Sequence, residues 1–310
     1  MKQKTLCVYH SADFDGLFSG AVVYAFANYM RKDYDLDMVG WDFGDELVDT
    51  IGYDKIIVVD LPPDCLVSVD WNKLTWIDHH KTAIERFTGC FDGLTIDGVA
   101  ACRLAWNYFF GDGNGQLEEF VGRKIAEPYC ITLAGEHDVW NHDDPLAMGF
   151  QFGLNALKSN WTPQELAKEF LKDNCNISYT RWNDGFNDSK TANVAQSGKL
   201  IEQWQNNFAA NVCEENSYLV EFEGLEFCAL ASVHARMSTW FPEETIKGGV
   251  ALMNIRISGD GKARISLYHR TGYNEIDLSV IAKKYGGGGH KGACGFEITI
   301  DEAVTAGIIR

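Results

Sequence analysis

Long apolar runs are missing from this chain of 310 residues. No stretch approaches the roughly 18 uninterrupted apolar residues that a membrane-spanning helix requires. The first residues reach Asp13 before any long apolar run forms, which is not the pattern of a secretory signal peptide. We therefore expect a cytoplasmic protein with no membrane partner.

Proline is also scarce, with six residues, and low-complexity tracts are absent. Hydrophobic residues make up 46% of the chain and charged residues 23%, a mixture typical of soluble globular proteins and not of disordered or fibrous ones. Because globular domains usually contain roughly 100 to 200 residues, the length favours two domains.

Closely spaced cysteine pairs are lacking as well. The nine cysteines are scattered without a CxxC pair, and several lie inside apolar runs, as Cys7 does. An odd number of scattered cysteines argues against a disulfide framework and against a zinc–thiolate site. The pattern predicts buried, reduced thiols in a reducing compartment.

Basic side chains are few. The chain has 27 Lys and Arg against 44 Asp and Glu, which gives a formal charge of −17. Proteins that coat long nucleic acids neutralise many phosphates with basic side chains. Only residues 225–300 carry a basic excess, of nine Lys and Arg against seven Asp and Glu. This distribution disfavours long nucleic acid as a partner and favours a small phosphate ester.

The first half of the chain alternates between extended and helical patterns. Short apolar runs without strict alternation predict strands buried on both faces of a parallel sheet, at residues 5–10, 55–60 and 74–78. Helical patterns are found at residues 16–30, 99–110 and 117–133. This alternation of strands and helices predicts the α/β class with a parallel sheet.

The pattern changes after residue 145. Helices are predicted at residues 164–172 and 191–213, and a shorter one at 278–285. Strand-like runs follow the second helix, at residues 218–222, 227–232, 250–257, 263–268 and 294–300. We predict an N-terminal metal-binding domain over residues 1–190, a helical linker over 191–215, and a smaller α/β domain over 216–310.

Acidic and imidazole side chains gather where the predicted strands end. The residues concerned are His10, Asp13, Asp15, Asp60, Asp78, His79 and His80. A single Asp at such a position is more often a helix cap, but three loops that all end in Asp or His are not explained by capping. Carboxyl ends of parallel strands meet at one crevice, so we expect one cluster there. Carboxylate and imidazole ligands suit Mn²⁺, Fe or Zn²⁺, and the many carboxylates favour Mn²⁺.

Five sequence motifs resemble those of the DHH phosphoesterases. Four of them are HSADFDG at 10–16, VVD at 58–60, IDHH at 77–80 and HDVW at 137–140. The fifth, YGGGGHKGACG at 285–295, is similar to the glycine-rich signature of the DHH-associated C-terminal domain. Within the family, the nanoRNases and related small-nucleotide phosphodiesterases are the most similar in style. The resemblance spans nearly the whole chain and implies an active site in the cleft between the two domains.

The resemblance also implies a ligand set for two divalent cations, with Mn²⁺ expected. One cation would be held by His10, Asp13 and Asp60, and the other by Asp15, Asp60, His79 and Asp138, so that Asp60 bridges them. Many bacterial members have three residues between the first His and Asp, whereas this chain has two. The implied nucleophile is a hydroxide held by the cations, so no cysteine or serine is needed.

Further roles follow from the same resemblance. Asp78 would orient an imidazole, and His80 would face the substrate phosphate, where it stabilises charge or assists proton transfer. A phosphate grip is expected from Gly287, Gly288, Gly289 and His290, with a bidentate contact from Arg270. Tyr268 stands where the family often has Arg, and both stacking on a base and plain packing are open for it.

The function that the motifs imply is a Mn²⁺-dependent phosphodiesterase. Its substrates would be short oligonucleotides or small linear or cyclic dinucleotides, and its products nucleoside monophosphates. Two alternatives stay open, a phosphomonoesterase on bisphosphate nucleotides or polyphosphate-type hydrolase, and a non-catalytic nucleotide sensor. The sequence leaves the oligomeric state open, with a homodimer among the possibilities.

Overall fold

The computed structural model describes residues 2–30, 33–87, 91–111, 127–139, 141, 143–172, 188–231 and 241–309. Most of the helix predicted at 117–133 lies outside these ranges. The chain divides into two compact units, Met1–Glu202 and Gln203–Arg310. The division falls within the long helix Asp188–Asn216. The predicted linker 191–215 lies inside the same helix, and its boundaries stay a prediction.

The first unit is built on a sheet of five parallel strands. The described residues of this unit form the strands β1 Gln3–His10, β2 Tyr34–Trp41, β3 Val48–Asp49, β4 Lys55–Val59, β5 Leu66–Val67, β6 Leu74–Asp78 and β7 Asp92–Thr95. The order in the main sheet is β2-β1-β4-β6-β7, and β3 pairs with β5 separately. Every pair in the main sheet is parallel, as the sequence predicts.

Helices accompany these strands. They are α1 Phe14–Ala25, α2 Lys81–Phe87, α3 Ala101–Phe110, α4 Tyr129–Asp138, α5 Ala147–Leu157, α6 Pro163–Leu166 and α7 Asp188–Asn216. Wider π-helical turns, Phe26–Met30 and Ala167–Leu171, continue α1 and α6, so the uninterrupted helices predicted at 16–30 and 164–172 are each split in two. A capping box at Thr162 and a proline at the first position begin α6.

Both faces of the main sheet are covered by apolar side chains. Cys7 of β1 belongs to a core with Phe18 and Trp106 from α1 and α3. Its neighbours Leu6 and Val8 point to the opposite face and join a second core, because successive strand side chains alternate. Full burial of such side chains stabilises the unit by about 1.5–3 kcal/mol each, which explains the nearly continuous apolar runs of the central strands.

The edge strand β2 was missing from the sequence prediction. Asp35 and Asp37 are exposed and alternate with partly buried Tyr34 and Leu36, so β2 lacks the apolar run that identifies its neighbours. Charged residues on an edge strand discourage pairing with other chains. The polar alternation is therefore a consequence of the edge position.

The second unit contains a six-stranded mixed sheet in the order β12-β13-β11-β10-β9-β8. Its elements are β8 Tyr218–Phe222, β9 Leu225–Ala231, β10 Ala251–Ile257, β11 Lys262–His269, α8 Ser279–Lys284, β12 Gly288–His290, β13 Ala293–Thr299 and α9 Ile300–Thr305. Among these described strands, only the β9–β10 pair is parallel. Apolar residues from the sheet and both helices form one core, in which Tyr285 stacks on Phe296 at 4.8 Å. The predicted two-domain α/β architecture is confirmed.

Short 3₁₀ turns occur at Pro63–Cys65, Trp71–Lys73 and Glu243–Thr245. Seven cysteines lie in the described part of the chain, and all of them are buried and free, as their apolar surroundings predict. Among the same residues, no helix combines the length and apolarity needed to cross a membrane.

Candidate metal centre

The ends of three neighbouring strands bring acidic and imidazole side chains together. His10 is the last residue of β1, Asp60 directly follows β4, and His79 directly follows β6. Strand β4 lies between β1 and β6, and all three run parallel. Their carboxyl ends therefore meet at one edge of the sheet, as the sequence pattern predicts.

The start of α1 is fitted closely to the end of β1. Asp13 is its N-cap and accepts a hydrogen bond from Gly16 N through Oδ1 at 3.0 Å. A Cβ atom on Gly16 would lie 2.1 Å from the carbonyl oxygen of His10, so only glycine fits there. The helix thereby begins against the strand end and places Asp13 and Asp15 beside His10.

The first ligand group consists of His10, Asp13 and Asp60. His10 Nδ1 lies 2.9 Å from Asp13 Oδ2 and 3.4 Å from Asp60 Oδ2. One ligand atom from each residue falls within 4.8 Å of the other two. The three side chains are therefore close enough to bind a single cation.

The second ligand group surrounds His79. Its Nε2 atom lies 3.5 Å from Asp15 Oδ2, 3.4 Å from Asp60 Oδ1 and 3.4 Å from Asp138 Oδ2. Asp138 is the last residue of α4 and reaches the cluster from outside the sheet. Asp60 thus directs one carboxylate oxygen to each group.

Asp60 is held in an unusual backbone conformation. Its φ is +58°, in the left-handed region that non-glycine residues seldom adopt, and its N–H donates to Ile77 O at 2.9 Å. The residue is 2% exposed, and Oδ1 accepts no hydrogen bond from any described residue. A buried carboxylate oxygen without a donor fits a cation ligand, because buried acceptors are otherwise satisfied.

Asp15 is anchored by the backbone of another helix. Its two oxygens accept hydrogen bonds from Ala101 N and Cys102 N, both at 2.8 Å, at the start of α3. The amide groups at a helix N-terminus favour a negative charge there. Burial and the charges of Asp60 and Asp138 nevertheless raise the pKa of Asp15 well above its usual value.

Crowding of carboxylates dominates the electrostatics. Burial and the nearby charge of Asp60 raise the pKa of Asp138 to about 6. Burial lowers the pKa of the two imidazoles, but the neighbouring carboxylates outweigh it and raise that of His10 to about 11 and that of His79 to about 9. Positive charge is therefore strongly favoured in the cluster. A donor set of carboxylate oxygen and imidazole nitrogen fits divalent cations such as Mn²⁺.

Asp78 is fully buried at the end of β6 and arranges the two histidines. Its Oδ1 accepts hydrogen bonds from His79 N at 2.8 Å and His80 N at 3.2 Å, and contacts His80 Nδ1 at 2.7 Å. The contact with Asp78 raises the pKa of His80. His80 Nδ1 also lies 3.9 Å from Asp60 Oδ1, which makes His80 a further candidate ligand.

A cavity of about 430 Å³ adjoins the cluster. Carboxylates of the cluster line it, together with polar residues of α5 and of the segment after it. These polar residues are Gln151, Asn155, Ser159 and Asn160, with Trp161 beside them. Sequence reasoning missed them, although two amides four residues apart on an otherwise apolar helix are a detectable signal.

The loop after β2 also reaches the cluster, which sequence reasoning did not foresee. Asp42 Oδ1 lies 3.4 Å from His10 Nε2, and the ring of Phe43 lies 6.0 Å from the His10 ring. Phe43 is 64% exposed. No motif marks this loop, because it joins the site only through the pairing of β2 with β1.

The predicted phosphate grip belongs to the second unit, and part of it is a strand. Gly288–His290 pairs with β13 where a glycine loop was expected. A Cβ atom on Gly287 would lie 2.1 Å from Gly295 O, so packing against β13 accounts for that glycine. Gly288, Gly289 and His290 are exposed. Their role in binding phosphate, and the cleft position of the active site, stay predictions.

Arg270 and Tyr268 are both engaged within the second unit. Arg270 Nε and Nη2 donate to Glu243 Oε1 at 2.9 Å, and Nη1 donates to Gly249 O at 2.8 Å. A bidentate contact to phosphate would require Arg270 to leave Glu243. Tyr268 packs against a buried apolar cluster, which agrees with the packing alternative.

Comparisons with known proteins were made at the level of sequence and of structure. No protein-family model matches the chain, and no curated protein matches its sequence. The structure is similar to that of PggH, a pGpG-specific phosphodiesterase from Vibrio cholerae, with a TM-score of 0.52 and 13% identity, over 99% of this chain and 97% of that chain. An exopolyphosphatase-related protein from Bacteroides fragilis aligns with a TM-score of 0.47 and 12% identity, over 99% and 91% of the two chains. RecJ from Thermus thermophilus, in complex with Mn²⁺, aligns with a TM-score of 0.45 and 12% identity, over 99% and 52%.

Proposed function

The chain has the fold of the DHH phosphoesterases, and from this premise we propose that it is a hydrolase of phosphate esters that works with two divalent cations. The observation that carries the proposal is the position of Asp60, whose two oxygens face two separate ligand groups. The buried, donor-free Oδ1 atom and the crowded carboxylates support the same conclusion.

We assign the ligands as follows. His10, Asp13 and Asp60 would hold one cation, and Asp15, Asp60, His79 and Asp138 would hold the other. The donor set is rich in oxygen and includes two imidazoles, which favours Mn²⁺. When bound, such cations lower the pKa of water towards neutrality and stabilise the charge that develops on phosphate.

His80 and Asp78 act together beside these ligands. Asp78 contacts His80 Nδ1 at 2.7 Å, so the other ring nitrogen of His80 is left for the substrate. Because the pKa of His80 is raised, the imidazole carries positive charge more readily and can stabilise the phosphate or protonate the leaving oxygen. Asp78 touches no reacting atom and serves as a positioning residue.

A cysteine nucleophile is not part of this proposal. Cys102 is the thiol beside Asp15, and its Sγ atom donates to Ile131 O at 3.7 Å. Burial and the charge of Asp15 raise its pKa well above the usual value, which keeps it a thiol. The thiolate is the reactive form of cysteine.

We propose that the substrate is a short oligonucleotide or a small linear or cyclic dinucleotide, released as nucleoside monophosphates. The formal charge of −17 opposes binding along a long nucleic acid. The relative from Vibrio cholerae is named for hydrolysis of a linear dinucleotide, which supports the same substrate class.

The test is product analysis with purified protein and Mn²⁺. The panel contains linear and cyclic dinucleotides, longer RNA and DNA, a bisphosphate nucleotide and polyphosphate. We expect dinucleotides to be cleaved fastest, with nucleoside monophosphates as products. The matched pair Asp60→Asn and Asp97→Asn, of which only the first alters the cluster, should lose and retain activity respectively.

Two results would contradict the proposal. Inorganic phosphate as the main product would identify a phosphomonoesterase or a polyphosphate-type hydrolase. Nucleotide binding without turnover that depends on Mn²⁺ would identify a sensor.

A further inference from the structure

The cavity beside the cluster indicates what kind of ligand the site recognises. Its lining includes Asp13, Asp15 and Asp138 of the cluster and Gln151, with neighbours from α5 and from residues 159–161. All of these residues belong to the first unit. The cavity is within the size range of sites that hold small ligands, about 300–1,000 Å³.

Gln151 is the most informative residue in the cavity. It is 7% exposed, it lines the cavity, and its side-chain amide forms no hydrogen bond with any described residue. The amide atoms are accessible from the cavity, where water or a ligand can satisfy them. Its position therefore indicates a ligand with a hydrogen-bonding edge.

The neighbours of Gln151 add a second amide and an aromatic ring to the cavity. Asn155 lies one turn further along α5, where its Nδ2 donates to Gln151 O at 3.0 Å, leaving its Oδ1 atom as an acceptor. Trp161 is oriented by a hydrogen bond from Nε1 to Leu154 O at 3.0 Å and by an edge contact with Phe170. Aromatic rings that are held in place in this way provide a stacking surface for a flat ligand.

The polar side chains beside Gln151 carry no positive charge that would bind a second phosphate. None of the described residues that line the cavity is Lys or Arg. Lys158, which is close to the Trp161 ring, forms an ion pair with Glu165. Two side-chain amides and an indole ring suit a neutral, planar ligand that has hydrogen-bond donors and acceptors.

We propose that Gln151, Asn155 and Trp161 form the subsite for a nucleobase of the substrate. The proposal rests on the proposed function, because that function places the phosphate beside the carboxylates that line the same cavity. Side-chain amides form paired hydrogen bonds with base edges, and a site built in this way discriminates strongly against ligands that lack the edge.

The first experiment compares two substrates. Gln151→Met removes the amide at nearly constant shape, and Gln203→Met on the exposed face of α7 is the matched control. We expect kcat/KM for a linear dinucleotide to fall at least tenfold in Gln151→Met, with a change below twofold for bis(p-nitrophenyl) phosphate, which has no base. Equal losses on both substrates, or no loss on either, would overturn the subsite.

The second experiment does not depend on turnover. Binding of the four common nucleosides and of ribose to the Mn²⁺-loaded protein is measured by equilibrium dialysis. At least one nucleoside should bind, ribose should not, and Gln151→Met and Asn155→Leu should each weaken nucleoside binding tenfold or more. Absence of nucleoside binding to the wild type would refute the subsite even in an active phosphodiesterase.

The two experiments separate the two proposals. Nucleoside binding that depends on Gln151, without hydrolysis of any phosphate ester, would refute the enzyme and keep the subsite. Should Gln151→Met fail to fold, as judged by thermal unfolding, the exposed Asn155→Leu variant decides the result alone.

Discussion

Replacement of Asp60 by asparagine should weaken both cation sites at once. The exchange keeps the shape of the side chain, and asparagine tolerates the φ of +58° observed here. It removes one negative charge that lies 3.4 Å from His10 Nδ1 and 3.4 Å from His79 Nε2, one contact in each ligand group. A single variant therefore probes the bridge without disturbing the backbone.

The size of the effect follows from the lost charge. At about 4 Å and an effective dielectric constant of about 20, two unit charges interact with about 4 kcal/mol. The amide oxygen of asparagine retains part of the ligation, so we expect a loss of about 2 to 4 kcal/mol per cation. That corresponds to roughly a 30- to 700-fold increase in each dissociation constant for Mn²⁺.

Calorimetric titration with Mn²⁺ measures both sites. Asp13→Asn is the matched control, because asparagine also caps helices well and Asp13 belongs to the first ligand group alone. Asp13→Asn should weaken one site, and Asp60→Asn should weaken two. If Asp60→Asn changed only one dissociation constant, the reasoning about the bridge would be wrong.

Three further predictions test other parts of the site. Asp78→Asn should lower kcat about tenfold or more with little change in KM. It should also move the alkaline limb of the pH–rate profile to lower pH, because the raised pKa of His80 depends on that carboxylate. An unchanged profile would count against a positioning role. In the folded, metal-free protein the pKa of Asp138 is raised from 3.8 to about 6 and that of His79 from 6.5 to about 9. The folded protein therefore binds more protons between these pH values than the unfolded chain does. The stability that these groups contribute should therefore be lost as the pH rises from about 4 to 9, and Mn²⁺ should restore it. Urea unfolding with and without a chelator measures both effects. A loss of the same stability towards acid pH would contradict this sign. Gly16→Ala would place a Cβ atom 2.1 Å from the carbonyl oxygen at the end of β1. The substitution should lower the free energy of unfolding in urea by about 1–3 kcal/mol. An unchanged unfolding midpoint would show that the start of the helix can move.

The sheet and the cluster were predictable for one physical reason. Strands that are buried on both faces have recognisable apolar runs, and parallel strands bring their carboxyl ends together. His10, Asp60 and His79 could therefore be expected at one place although they are far apart in sequence. The structure places Asp60 3.4 Å from a ring nitrogen of His10 and 3.4 Å from one of His79.

Features that depend on tertiary contacts could not be read from local patterns. The charged edge strand β2 lacks an apolar run, and the loop after it reaches His10 only because β2 pairs with β1. The engagement of Arg270 by Glu243 joins residues that are far apart in the chain. The strand Gly288–His290 was missed because glycine disfavours strands unless another backbone approaches closely, as β13 does here.

The central claim, two cations that share Asp60, is tested most directly by anomalous diffraction from crystals loaded with Mn²⁺. Two peaks are expected, one beside His10 and Asp13 and the other beside His79, Asp15 and Asp138, with one Asp60 oxygen bound to each. A single peak, or two peaks of which only one is bound by Asp60, would contradict the account.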